Sequence, residues 1–188
     1  MRCKLILCCA AIIIEGCSRE GANQHTPIGV NSGAGEMVKP PRDPFGAPIF
    51  DRTTKQVGIV ATKPEKQGVL VSLDIRGLPP GVHGVHIHEN SKCDPPGFQS
   101  AGAHWNWTNK KHGHKNPNGY HAGDLGNITV PADGKVYATF LVPAANWDPK
   151  RNSGLSIVIH EGADDEMTDP SGNSGDRIAC GIVFLRRD

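Results

Sequence analysis

The sequence has few aromatic residues, almost no net charge and no long hydrophobic run. Aromatic side chains make up 5% of its 188 residues, and the formal net charge is +1 at pH 7. A near-neutral chain gives no bulk electrostatic reason to bind nucleic acid, so we expect no nucleic-acid partner. The most apolar run, from Leu5 to Ile14, is too short to span a bilayer permanently. The length of the chain fits one domain with additional segments.

The N-terminal segment combines that short apolar run with two preceding basic residues, which predicts an export signal over residues 1–16. Gly16 before Cys17 is similar to a bacterial lipoprotein signal, in which Cys17 would be lipidated and would anchor the exported chain to a membrane. Glu15 departs from that pattern, and ordinary cleavage near the same place is the alternative. We therefore expect the protein in the periplasm or on the outer face of the cell membrane.

The six cysteines fall into two groups, four within the first 17 residues and two far along the chain. With Cys17 lipidated and the signal removed, Cys93 and Cys180 would form the one possible intrachain disulfide in an oxidising compartment. Two free buried thiols are the alternative, which is less favoured for an exported protein.

The rest of the chain divides into a tether and a domain. Residues 17–44 are polar and rich in Gly and Pro, which predicts a flexible tether, and residues 45–188 form the domain. Abundant Gly and Pro favour many short strands over helices. Eight segments have strand-like patterns: "APIFD", "QVGIVAT", "GVLVSLDIRG", "GVHIHE", "NITV", "KVYATFLV", "LSIVIHE" and "ACGIVFL".

The irregular parts of the domain carry their own predictions. Residues 90–126 and 162–176 lack a strand pattern, and long loops in compact β domains are usually functional or disordered. Pro44 and Pro48 interrupt the first strand, which we expect to be short, displaced or at a sheet edge, because proline cannot donate a ladder hydrogen bond.

Histidines are the main chemical signal. In "GVHGVHIHEN", His86 and His88 are two apart in a strand, so their side chains share a face about 7 Å apart. Such a pair favours a metal site over the alternative of a solvated polar face. Further candidates lie in the two irregular segments or beside them: His104, His112, His114, His121, Asp124 and His160. Imidazoles suit copper and zinc.

Six motifs occur in the order, and near the spacing, of the copper/zinc superoxide dismutases: "GVHGVHIHE", "AGAHWN", "KHGH", "HAGDLGN", "IVIHEGADD" and "GNSGDRIACG". On these motifs the chain resembles that family over about residues 55–185, and its exported bacterial branch most closely. The resemblance implies a Greek-key antiparallel β-barrel or sandwich of immunoglobulin-like architecture, with two long functional loops.

The resemblance also implies one copper and one zinc ion per subunit. The copper ligands would be His86, His88, His104 and His160. The zinc ligands would be His104, His112, His121 and Asp124. His104 would serve both sets as a bridging imidazolate, which two flanking cations make feasible by removing its last ring proton.

The remaining roles follow from the same resemblance. Arg177 would dock superoxide beside copper, and Asp164 would join a copper histidine to a zinc histidine. Cys93 and Cys180 match the family disulfide. The implied activity is dismutation of superoxide to O2 and H2O2 by Cu(II)/Cu(I) cycling, as antioxidant defence outside the cytoplasm, in a homodimer or a monomer. His104 would also carry a proton for the second half of the cycle.

Two rival functions make different demands. A copper carrier that kept the fold should have lost a copper ligand or Arg177, whereas a zinc hydrolase needs an open zinc position. We interpret His83 as a packing residue and His114 as a loop residue. The source of electrostatic steering is open: residues 161–176 contain six acids and no lysine. The nearest basic cluster, Lys110, Lys111 and Lys115, is either a steering patch or an ordinary solvated face.

Overall fold

The structure, a computed structural model, describes residues 46–146 and 154–184. The predicted export signal, tether and Cys17 lie outside these residues. The described residues form eight strands and two short 3-10 helices, Gln99–Ala101 and Ala144–Asn146. The strands are β1 Ala47–Asp51, β2 Gln56–Glu65, β3 Gly68–Arg76, β4 Gly81–His88, β5 Asp124–Val130, β6 Lys135–Pro143, β7 Leu155–His160 and β8 Arg177–Val183. Each of the eight predicted segments overlaps one of these strands.

The strands form one antiparallel sheet in the order β5-β4-β7-β8-β1-β2-β3-β6. The two outermost strands of this order, β5 and β6, approach each other, so the sheet curls into a nearly closed barrel. The connections from β3 to β4 and from β6 to β7 join strands that are not neighbours, which gives the Greek-key arrangement. The predicted all-β Greek-key fold is confirmed.

The first strand is short, as one of the three alternatives predicted, but it does not lie at an edge. β1 pairs with β2 from Ala47 onward and with β8 only from Ile49 to Asp51. Pro48 therefore precedes the part of β1 that is hydrogen-bonded on both sides. The missing proline N–H interrupts no pairing with β8.

Alternation along the strands fills the barrel interior. On β3 the inward residues Val69, Val71, Leu73 and Ile75 are fully buried. β7 differs, because all six of its residues are buried. Its Ile157 and Ile159 face the barrel core, while Val158 packs outside the barrel in a second cluster with Phe98, Ala101, Cys180 and Cys93. The segment after β4 thus covers the outer face of β7.

Two long loops border this outer face. Loop A (residues 89–123) joins β4 to β5, and loop B (residues 161–176) joins β7 to β8. Because β4 and β7 are paired neighbours, both loops can reach the same outer surface. The loops also contact each other: the Lys115 N–H donates to the Glu166 carbonyl at 3.0 Å. Among the described residues, no helix has the length and apolarity needed to span a membrane.

Candidate metal centre

The outer face of β4 and β7 carries three buried histidines. Val85 and Ile87 point into the barrel core, so alternation turns His86 and His88 outward. His160 lies at the end of β7. The β4–β5 register shifts at His86 and the β7–β8 register shifts at His160, and such irregularities change the direction of a side chain. His104, in loop A, reaches this group through an isolated bridge to His88.

These four histidines form the first cluster of possible ligands. One ligand atom from each of His86, His88, His104 and His160 lies within 4.8 Å of the others. The atoms without a hydrogen-bond partner in this cluster are His86 Nδ1, His88 Nε2, His104 Nε2 and His160 Nε2. Buried ring nitrogens without partners are costly, and four of them together fit a bound metal ion. The donor chemistry, four imidazoles, fits copper.

The opposite nitrogen of three of these rings is held by an oxygen. His86 Nε2 lies 2.8 Å from Asp164 Oδ2, His88 Nδ1 lies 3.0 Å from the Gly102 carbonyl, and His160 Nδ1 lies 3.0 Å from the Gly175 carbonyl. Each ring therefore donates its N–H outward and leaves its other nitrogen to face the cluster.

Burial also favours the neutral rings that metal binding requires. It lowers the pKa of His88 to about 2, the pKa of His86 to about 3 and the pKa of His160 to about 4. A neutral imidazole keeps the lone pair that a metal ion needs.

A second cluster surrounds one oxygen of Asp124. Asp124 Oδ1 lies 3.0 Å from His104 Nδ1, 3.1 Å from His112 Nδ1 and 3.3 Å from His121 Nδ1. A tetrahedron with metal–ligand bonds of about 2.0 Å has edges of about 3.3 Å, so these separations fit a zinc ion. Asp124 Oδ2 accepts the N–H groups of Gly113 and His121, which leaves Oδ1 for this cluster.

The second cluster can also be drawn with His86 in place of His121, because His86, His104, His112 and Asp124 also offer atoms within 4.8 Å of one another. We prefer His121, whose Nδ1 is 3.4 Å from His104 Nδ1 and close to Asp124 Oδ1. His86 already has its Nε2 on Asp164 and its Nδ1 in the first cluster. His104 then belongs to both clusters, through Nε2 in the first and Nδ1 in the second.

In the second cluster, the protonation of each group depends on its charged neighbours. Burial lowers the pKa of His112, but the carboxylates of Asp124 and Asp164 outweigh burial and raise this pKa to about 9. Burial raises the pKa of Asp124, but the rings of His104, His112 and His121 beside its carboxylate bring the pKa far below its usual value. The carboxylate is therefore ionised, as a zinc ligand must be.

Asp164 connects the two clusters. Its Oδ2 lies 2.8 Å from His86 Nε2 and its Oδ1 lies 2.9 Å from His112 Nε2. Loop B can close over this carboxylate because residue 172 is glycine: its φ is +62°, and a Cβ there would overlap Asp164 Oδ1. These contacts would let Asp164 take the connecting role that the resemblance implied.

Sequence reasoning missed the residue that holds Asp164. Asn127, on β5, accepts the Asp164 N–H at 2.7 Å and donates to the Asp164 carbonyl at 2.9 Å. The amide thus pairs with the backbone of Asp164 as a neighbouring strand would. Its only sequence signal was its place at the end of "HAGDLGN".

Arg177 begins β8 and lies beside the first cluster. It donates from Nη1 to the Phe98 carbonyl at 2.8 Å and from Nη2 to the Gly102 carbonyl at 2.7 Å. The Gly102 carbonyl also contacts His88 Nδ1, so one backbone oxygen connects the guanidinium to a ring of the first cluster. Partial burial lowers the pKa of Arg177, but an arginine remains charged at neutral pH.

A disulfide fastens loop A to the same strand. Cys93 and Cys180 are bridged, with Cα atoms 5.6 Å apart, which confirms the predicted pairing. Such a bond is typical of proteins that leave the reducing cytoplasm, so it is consistent with export.

The two remaining histidines of the domain lie outside both clusters. His83 is buried, with Nδ1 2.8 Å from the His160 carbonyl and Nε2 2.9 Å from the Pro79 carbonyl, so it is the packing residue we expected. His114 has a more specific place than the sequence suggested. Its Nε2 contacts the Asp124 carbonyl at 3.0 Å, and its ring packs on Tyr120.

Two of the four lysines of loop A face acids of loop B. Lys111 lies 2.6 Å from Asp169, and Lys115 lies 3.6 Å from Glu166. Opposite charges at these distances cancel much of each other's field. At least two of the three candidate steering lysines therefore form ion pairs between the loops and contribute little positive potential to steering.

The fold and the centre define a class: a Greek-key β-barrel with a buried histidine centre suited to two adjoining metal ions. The family described as "Copper/zinc superoxide dismutase (SODC)" matches residues 56–183. The chain belongs to the copper/zinc superoxide dismutase family, whose metals are copper and zinc.

Individual relatives agree with this assignment. The chain is 43% identical over 144 residues to "Superoxide dismutase [Cu-Zn] 1" of Aquifex aeolicus, covering 73% of this chain and 85% of that protein. A crystal structure of a SOD-like protein from Bacillus subtilis has a TM-score of 0.69 at 39% identity, covering 74% of this chain and 97% of that one. The Cu/Zn superoxide dismutase from Brucella abortus has a TM-score of 0.59 at 28% identity, covering 74% and 98%.

Proposed function

We propose that this protein is a superoxide dismutase that converts two superoxide anions and two protons into one O2 and one H2O2. The observation that carries the proposal is the first cluster, where four buried ring nitrogens without partners lie beside the guanidinium of Arg177. Bound copper would supply the electron exchange, oxidising one superoxide and reducing the next.

The residues divide the work between two ions. Copper would be held by Nδ1 of His86 and by Nε2 of His88, His104 and His160. Zinc would be held by Nδ1 of His104, His112 and His121 and by Oδ1 of Asp124. The zinc set contains four protein ligands, which leaves no open position and argues against a hydrolase. Its contribution would be to fix loop A and the shared ring of His104.

The side chains around copper would supply binding and protons. The guanidinium of Arg177, fixed by two backbone carbonyls, would bind the anion electrostatically before electron exchange. Nε2 of His104 would serve copper and a proton in turn: in the half of the cycle in which it is free of the metal it would hold a proton, which it would then donate to the reduced oxygen species. Asp164 would fix the orientation of the rings of His86 and His112.

The proposal places the enzyme outside the cytoplasm. The Cys93–Cys180 bond and the predicted signal over residues 1–16 support export to the periplasm or the outer face of the membrane. A lipid on Cys17 would provide the anchor, and the active form would be a homodimer or a monomer.

The test is superoxide consumption by protein loaded with copper and zinc, with both metals counted by mass spectrometry on the same sample. We expect catalytic consumption by the doubly loaded protein and none by the zinc-only form. The matched variant is Arg177→Ala, which should keep copper and lose most of the rate. Full copper loading without consumption would contradict the proposal and indicate a copper carrier that kept the fold.

A further inference from the structure

The turn between β1 and β2 brings a second arginine to the start of β8. Asp51 Oδ1 accepts the N–H groups of Thr53 at 2.8 Å and Lys55 at 3.0 Å, and also the Thr53 hydroxyl at 2.7 Å. These bonds fix a tight turn, in which short polar side chains satisfy the backbone. Arg52 leaves this turn from a defined position.

Arg52 contacts two consecutive residues at the edge of the first cluster. Its Nε donates to the backbone carbonyl of Arg177 at 2.8 Å, and its Nη2 lies 3.2 Å from Asp176 Oδ2. Nothing in the sequence motifs singled out this arginine, because it belongs to an ordinary turn 125 residues away from Arg177.

The partner of Arg52 is an acid in an unfavourable place for an anion-binding site. Asp176 immediately precedes Arg177, and Glu161 immediately follows His160. The Glu161 N–H also donates to the Asp176 carbonyl at 2.7 Å, so the two acidic residues are adjacent in space. Unpaired carboxylates here would repel an approaching anion and weaken the positive potential of Arg177.

We propose that Arg52 is a positioning residue that sets the anion affinity of the copper site by neutralising Asp176. The inference rests on the proposed function, because it assumes that Arg177 binds superoxide beside copper. Loop B contains no lysine, and two of the four lysines of loop A, Lys111 and Lys115, pair with Asp169 and Glu166. The turn before β2 thus supplies the cation that loop B lacks.

If the ion pair between Arg52 and Asp176 were purely structural, its loss would lower stability and leave anion affinity unchanged; we expect the reverse. The Arg52 side chain is 38% exposed and that of Asp176 is 77% exposed, and exposed pairs contribute little to stability. Neutralising either residue should therefore leave the melting temperature nearly unchanged. An unmasked unit charge near the site should still change anion affinity by about 2- to 10-fold.

The experiment is a double-mutant cycle on protein loaded with copper and zinc. Azide, a small monovalent anion that ligates Cu(II), is titrated by absorbance into wild type, Arg52→Gln, Asp176→Asn and the double variant. We expect Arg52→Gln to raise the azide dissociation constant about 2- to 10-fold, and the double variant to return it close to wild type. Arg52→Lys, which keeps the charge, should stay close to wild type.

The matched control removes the same charge from another exposed pair. Lys63 lies 2.8 Å from Glu65 on β2. The neighbouring Thr62 hydroxyl donates to the carbonyl of Phe184, just beyond the end of β8 that is opposite Arg177. Lys63→Gln should therefore not change azide affinity, since seven strand residues span roughly 20 Å and salt screens exposed charges over about 8 Å.

Two results would overturn the inference: unchanged azide affinity in Arg52→Gln, or a double variant as weak as Arg52→Gln alone. Superoxide consumption by the same wild-type sample separates this failure from failure of the proposed function. If the wild type consumes superoxide but the variants do not change azide affinity, only the proposed role of Arg52 is wrong. If the wild type does not consume superoxide but the azide affinities change as expected, the dismutase function is wrong and Arg52 is still an anion-site residue.

Discussion

The histidines of the centre differ in which ring nitrogen the protein leaves unpaired. His86 offers Nδ1 because Asp164 holds its Nε2, whereas His88 offers Nε2 because the Gly102 carbonyl holds its Nδ1. Hydrogen bonds to the far nitrogen fix both the tautomer and the ring orientation of a metal ligand. The residues around each histidine therefore decide what it can bind.

His160 provides a test of this division, because its free Nε2 belongs to the first cluster only. We expect His160→Ala to abolish superoxide consumption and weaken copper binding, while zinc remains bound. Metal content by mass spectrometry after dialysis against limiting chelator measures both ions at once. Loss of zinc with copper retained would show that the two clusters are assigned the wrong way round.

Asp124 provides the reciprocal test. Its carboxylate is the one anionic side chain in the zinc set, and it also holds the N–H groups of Gly113 and His121. We expect Asp124→Ala to lower zinc affinity and, because metal binding is coupled to folding, the melting temperature. The control is Asp133→Ala in the exposed turn after β5, which should change neither. If the zinc-titrated melting curves of Asp124→Ala and wild type coincide, Asp124 is not a zinc ligand.

At this scale the sequence predicted residue identities better than residue environments. Motif order and spacing pointed to the histidines, Asp124, Asp164 and Arg177. Asn127 and Arg52 could not be predicted, because Asn127 acts on the backbone of Asp164 and Arg52 on the carboxylate of Asp176, and only the folded chain brings these groups near. A turn arginine and a strand asparagine have no local pattern that distinguishes them from surface residues.

At the scale of elements, strands were predictable and contacts between loops were not. Alternation and turn residues located all eight strands, since both are local properties of the chain. The pairing of Lys111 with Asp169 joins loop A to loop B across 58 positions of sequence, and no local pattern encodes it. The interpretation of these lysines as a steering patch therefore depended on information that only the fold supplies.

The disulfide stabilises the fold at the scale of elements. It links loop A to β8 across a sequence separation of 87. On the chain-entropy model, closing such a loop stabilises the fold by about 4–5 kcal/mol. We expect the double variant Cys93→Ser, Cys180→Ser to lose about this much in urea unfolding of the metal-free protein. Identical unfolding midpoints for variant and wild type would show that the bond contributes no stability.

At the scale of the whole molecule, the barrel serves as a rigid surface for the centre. The inward faces of β4 and β7 fill the core, and their outward faces carry His86, His88 and His160. Sites built on strands are held more precisely than sites built on loops alone. Loop A and loop B complete the centre from outside, fastened by the disulfide, by Asp164 and by Arg177.

The central claim is that one buried centre divides into a copper set and a zinc set that share His104. The most direct measurement is a crystal structure of the metal-loaded protein with anomalous data at the copper and zinc absorption edges. We expect a copper peak among His86 Nδ1 and the Nε2 atoms of His88, His104 and His160. A separate zinc peak should lie among Asp124 Oδ1 and the Nδ1 atoms of His104, His112 and His121. A single metal peak, or a copper peak beside Asp124 with none beside His160, would contradict the account.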